Sequence, residues 1–376
     1  MANVGYVDVG DGDVMLLLGT AKGVFLLRSS GARGDWQLGG PFCPGHKVYA
    51  LAFDQRKGRR RIWASRFNNH WGTVLAHSDD LGRNWHVPDE PNVKFPEGSG
   101  EALKQIWEVK LGRPGDDDVL YCGVEPAALF ESRDAGESWQ VVRGLYEHPH
   151  RKQWQPGGGG LCLHTIVPDP TDAKRMIVAI STGGVYRTDD GGATWRPRNN
   201  GVSTKFLPGP APEFGQCVHR VVMDPSNPRQ LFLQNHWGLF RSDDGADTWV
   251  DIGTDFPWTF GFAMAAHPHE PRTAYILPVE SDEFRCTPEG KLRVWRTRDG
   301  GDSWEALTRG LPQANALETV LRHGMDTDAL RPAGVYFGTE SGKVYGSADD
   351  GESWRLIHEG LPPVLCVKAV VVGDGR

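Results

Sequence analysis

The 376-residue chain encodes an all-β fold, a seven-bladed β-propeller of four-stranded antiparallel blades. Three observations predict it. A nine-residue pattern recurs: HSDDLGRNW ending at Trp85, ESRDAGESW at Trp139, RTDDGGATW at Trp195, RSDDGADTW at Trp249, RTRDGGDSW at Trp304 and GSADDGESW at Trp354, with a worn copy, RSSGARGDW, at Trp36. The intervals between the seven tryptophans are 49, 54, 56, 54, 55 and 50 residues, the length of one four-stranded blade. Within each interval four short apolar runs alternate with turn residues.

The elements follow in order. The N-terminus opens on what is elsewhere the second beat, with VMLLLGT, GVFLLRS and DWQL. Residues 216–251 show a full set: QCVHRVVMD as inner strand, LFLQNHW second, GLFRSD third, then the boxed turn and TWVDI as outer strand. The chain finishes on an orphan first beat, LPPVLCVKAVVV, so residues 364–372 are predicted to supply the inner strand of the blade begun at the N-terminus. That closes the ring and removes two exposed edges. Residues 1–376 are then expected to form one domain, its 48 glycines and 26 prolines punctuating the turns. Longer connections at 86–105, 143–163 and 197–216 are expected on the ligand-binding face, and the insertion 280–293 is expected to protrude as a hairpin.

A net charge of −7 and a pI near 6.0 give no basic surface for nucleic acid or an anionic membrane. Six cysteines without CxxC spacing are expected to be free thiols. With neither a basic leader nor a long apolar run, a cytoplasmic protein is expected.

In the boxed turn, the aspartate is suited to accept backbone N–H groups, the glycine to take a positive φ, and the tryptophan to bury its ring between sheets. Near-equivalent sites spread round a ring cannot converge on one substrate, so the boxes are expected to be architectural. They resemble the Asp-box, or BNR, repeats of sialidases, sortilin-type receptors, xyloglucan-cleaving endoglucanases and photosystem-assembly propellers. That resemblance implies boxes between third and fourth strands, on the face opposite the ligand site. The N-terminal GTAKGVFLLRS lacks the arginine segment of sialidases, and Arg66 and Arg220 have no evident third partner, so a true sialidase is not expected. The segment PGGGGLCLHTIVPDP with its following box is similar to the xyloglucan endoglucanases, which pair two propellers round a cleft.

Aligning inner strands on the residues that end them (Asp54, Asp169, Asp224, His267 and His323) sets His164 and His219 level at the channel, with Tyr49, Trp107, Phe262 and Glu318 in the other blades. His46, Gln105, Gln216, Cys162 and Cys217 are expected near its mouth, and the second-to-third turns add Lys22, Asn69, His70, Trp71, Glu125, Asn235, His236, Trp237 and Glu340. Three readings compete. In a glycosidase-like hydrolase or lyase acting on a carbohydrate or related polyhydroxylated compound, Glu318, Glu125 and Glu340 are candidate acid/base carboxylates, and His70, Trp71, Gln105, Trp107, His236, Trp237 and Arg220 bind substrate. In a metal-dependent enzyme, His164, His219 and His46 hold a divalent ion, the only cofactor considered. In a non-catalytic scaffold the same face docks a protein partner.

Overall fold

The computed structural model describes residues 5–207 and 212–373; part of the 197–216 connection, residues 208–211, lies outside that range. Strand pairing gives seven antiparallel sheets round a channel. Blade 1 joins Val14–Thr20, Gly23–Ser29 and Gln37–Phe42 to the closing strand Val364–Val371. The closure runs in register from Val14 opposite Val371 to Gly19 opposite Cys366, then shifts by one residue to Thr20 opposite Val364, and Val14, Leu16, Leu18, Val364 and Val367 are buried along it. Between blades the core is shared: Ile177, Ala179 and Val185 of blade 4 pack with Val221, Leu233 and Trp249 of blade 5.

Blade 2 has only three full strands, Leu51–Asp54, Arg61–Asn68 and Gly72–Ser78. Its fourth is reduced to a bridge between His77 and His86, whose rings stack at 4.7 Å. Pro88 and Pro91 follow at once, and proline cannot donate to a ladder.

The six intact boxes are superimposable in chemistry. The leading Ser or Thr (Ser78, Ser132, Thr188, Ser242, Thr297, Ser347) donates to the aspartate Oδ1 at 2.7–2.8 Å. That same Oδ1 accepts the backbone N–H four residues on at 2.7–2.9 Å. In each turn two successive residues take positive φ, as at Ala135 (58°) and Gly136 (93°). In the worn copy Arg33 is buried and crosses to blade 7, donating to the Asp328 carboxylate, Pro332 O and Ala348 O.

Blade 7 corrects one alignment. Its inner strand is Met325–Thr327 and ends at Asp328, not at His323. Asp328 accepts the N–H two residues on, from Leu330, as Asp54, Asp169 and Asp224 do from Arg56, Thr171 and Ser226. His267 does the same in blade 6 through Nδ1. Shifting by five residues puts His323 at the channel level and moves Glu318 away from it. The insertion 280–293 carries a short hairpin whose tip, residues 282–285, is exposed, while its base is held down. It pairs with itself at Glu280 and Cys286 and is tied to the 312–320 connection through Thr287 to Ala316 O and Thr319 to Arg285 O.

Candidate functional site

Inner strands run from the mouth of the channel toward the boxes, so the connections before them and the second-to-third turns share the mouth face. There the Trp107 ring meets Tyr49 at 4.8 Å between centroids, and Lys47 Nζ lies 4.7 Å over Tyr49. Arg322 crosses above Trp107 at 5.2 Å and donates to Cys162 Sγ at 3.9 Å. Among the described residues no carboxylate lies within 4.0 Å of this guanidinium, and the same holds for Arg285, which sits 5.3 Å over Phe262. Neither arginine was singled out from sequence. Arg322 stands in TVLRHG, whose apolar start reads as the inner strand, and Arg285 is delivered by the insertion.

One of the three candidate carboxylates contacts this floor, and a second acts on it through its charge. Glu125, ending the second strand of blade 3, accepts Trp107 Nε1–H at 3.2 Å and lies 3.7 Å from Lys104 Nζ. Glu340, in the second-to-third turn of blade 7, keeps much of its surface open to water, yet burial raises its carboxyl above the ordinary range against the pull of Arg285 and Lys47. Its charge in turn acts on Tyr49. Glu318 does not join them: it is buried and committed to Lys343 Nζ at 2.7 Å and Ser341 Oγ at 2.5 Å.

The histidines are not gathered into the expected triad. His164 is fully buried with both ring nitrogens engaged, Nε2 with Val218 O and Nδ1 with Thr165 Oγ1, each at 2.9 Å, so it ties blade 4 to blade 5. His46 is taken by Arg66, whose guanidinium lies 3.2 Å from its Nε2. His219 donates from Nδ1 to Gly261 O of blade 6 at 2.7 Å, and its neighbours are Cys217 and His236. Burial, then the Arg322 charge, depress its pKa to about 3, so it is a neutral imidazole. Burial likewise pushes the Cys162 thiol up to about 12.

The two NHWG copies differ by one residue in register. In blade 5 Asn235 pairs with Gly238 and its Oδ1 accepts Trp237 N–H at 2.7 Å, a two-residue turn. In blade 2 the pairing is Asn68 with Gly72, and Asn68 accepts His70 N–H at 2.8 Å, leaving a three-residue turn. Trp71 is consequently 78% exposed, whereas Trp237 is half-buried against Phe206. Gln105 pairs with Glu125 beside Trp107. Arg220 is misplaced by the sequence reading: it lines a cavity of about 330 Å³ at the box end of the channel with Glu108, Lys110 and Asp326, and contacts His323 Nδ1 at 2.9 Å.

No family model matches the chain. Among curated proteins it is similar to a xyloglucanase of Paenibacillus sp. (26% identical over 304 residues, 73% of this chain and 27% of that protein). An oligoxyloglucan-reducing end-specific xyloglucanase of Emericella nidulans is 27% identical over 58% of this chain and 25% of its own. The chain thus spans about a quarter of the length of these relatives. Among solved structures it resembles the GH74 xyloglucanase of Xanthomonas campestris (TM-score 0.60, 16% identity, 95% of this chain and 56% of that one). YCF48 bound to D1 peptide aligns at TM-score 0.53 and 13% identity, over 94% and 88%. At these identities the solved structures establish the propeller fold, and the curated relatives are xyloglucanases by name.

Proposed function

We propose that the protein is a glycosidase-like hydrolase or lyase of the Asp-box type, not a sialidase, that takes a glucan-type carbohydrate across the channel mouth. The observation that carries this is Glu125 hydrogen-bonded on the aromatic floor of Trp107 and Tyr49, with Glu340, three blades away, acting on Tyr49 through its charge. Glu340, its carboxyl raised, suits proton donation to the leaving oxygen; Glu125, an acceptor for Trp107 and near Lys104, suits the base or nucleophile. The names of the curated relatives support xyloglucan and its oligosaccharides as first substrates. Incubating the protein with a panel of plant glucans and measuring new reducing ends is the test. Turnover that drops about 10²-fold or more in Glu340→Gln and in Glu125→Gln, without loss of fold, is expected. An acid role for Glu340 also requires turnover to fall as pH rises through its raised pKa. Wild-type protein that neither cleaves nor binds any glucan would defeat the reading.

A further inference from the structure

We propose a divalent transition-metal site, best suited to zinc, formed by Cys217, His219 and His236 within blade 5. Their ligand atoms lie within 4.8 Å of one another, and Cys217 Sγ stands 3.7 Å from His219 Nε2. With Zn–S and Zn–N bonds near 2.3 and 2.05 Å at a tetrahedral angle, sulfur and nitrogen ligands sit about 3.6 Å apart, so that edge is already at its bonded length.

The blade's own ladder makes the cluster. Cys217 immediately precedes the inner strand Val218–Asp224, and Val218 pairs with Asn235, which sets His236 opposite Cys217; His236 N–H donates to Cys217 O at 3.0 Å. Each imidazole has one nitrogen fixed by an oxygen acceptor. His219 Nδ1–H is held by Gly261 O at 2.7 Å, which leaves the Nε2 lone pair facing the thiol. His236 Nε2 lies 3.0 Å from Asp282 Oδ2, which leaves Nδ1 as its acceptor. An oxygen partner that fixes tautomer and ring orientation is how ligating histidines are held in metal sites. Phe260 and Phe262 pack against the His219 ring at 5.1 and 4.7 Å, so the imidazole cannot swing away.

Thiolate and imidazole ligands favour zinc over magnesium or calcium. Binding converts the thiol to a thiolate and releases its proton to solvent. Arg285 and Arg322 act electrostatically on Cys217, so with the ion counted the positive charges outnumber the thiolate and Asp282, which favours an anion as the fourth ligand. Three protein ligands leave a fourth position open for water or an anion. This inference goes beyond the carbohydrate reading and does not depend on it.

The test uses the full chain, freed of any tag and treated with chelator, and titrated with zinc against a chromogenic chelator and separately with cobalt. One ion per chain is expected, with a sulfur-to-cobalt charge-transfer band and the visible spectrum of tetrahedral cobalt. Cys217→Ser should abolish the band and His236→Ala should weaken binding at least tenfold. His86→Ala, which breaks the exposed His77–Asp79–His86 group, should change neither. Should Cys217→Ser fail to fold, Cys217→Ala is read in its place, and the wild-type cobalt spectrum stands alone. No stoichiometric binding, a cobalt spectrum without sulfur, or binding lost only in His86→Ala would overturn the site.

Discussion

At the six intact boxes a hydroxyl, a carboxylate and a second side chain make one hydrogen-bond set six times over, and the ring's other end repeats almost nothing. The corresponding channel positions hold Tyr49, Trp107, His164, His219, Phe262 and His323, and each answers to a different neighbour. Even where the mouth repeats a sequence, as in NHWG, the two copies adopt different turns. Local hydrogen bonding within nine residues sets the loop of a box, and its tryptophan reaches the preceding blade at Trp249, which donates to Arg198 O, and at Trp304, which donates to Ile252 O. A mouth side chain is instead set by the blade beside it or across the channel, by residues 42, 54 and 103 positions away at His219, His164 and His323.

That contrast is open to direct attack, beginning where the effect is largest. Gly136→Ala forces a methyl into the ring of Trp63 at a backbone φ of 93°, so it is expected to cost about 3 kcal/mol or more of stability, read as a lowered midpoint in urea. Ser132→Ala is milder. It removes a buried hydroxyl that donates to Asp134 and accepts Gly136 N–H, each at 2.8 Å, and about 1–2 kcal/mol is expected from the same measurement. On the mouth side the sign of the experiment reverses. Trp71→Ala, with that ring exposed, should leave the urea midpoint unchanged while weakening binding of a long glucan by about 1 kcal/mol, or roughly fivefold, by calorimetry. A stability loss equal to that of Ser132→Ala would erase the distinction.

The smallest effect is in acid. Hydrogen bonds from Ser138 and Thr194 hold the Asp134 and Asp190 carboxyls at about 2, below the ordinary 3.8. A carboxylate depressed in the folded state contributes stability that is fully present above the ordinary value and is lost as pH falls through about 2. These residues are exposed, so a shallow decline in the urea midpoint between about pH 4 and 2 is expected, with mouth ligand binding following a separate profile.

The same contrast explains what could be read from residues alone. Boxes, blade count and the closing strand were all visible because each is a local pattern or a count of patterns. Aligning blade 7 on His323 sets Glu318 at the channel; the true marker, an Asp that accepts the N–H two residues on, lies at Asp328. Arg220 sits next to His219 in sequence, yet across a bulge between Val218 and Arg220 its side chain turns to His323 and the cavity with Glu108 and Asp326. His164 and His46 were plausible metal ligands by type, but the partners that occupy them, Val218 O and Arg66, are visible only once blades are assembled. Arg285 stands at the exposed tip of an insertion that no other blade repeats, so no pattern marks it.

Joining Val364–Val371 to Val14–Thr20 has a consequence for how the ring is made during synthesis. The first blade's innermost strand leaves the ribosome some 350 residues after its neighbour, a sequence separation that makes their pairing one of the slowest contacts to form. Until then Val14–Thr20 presents an unpaired apolar edge to the cell, and a nascent chain stalled in its last blade is the species most exposed to aggregation.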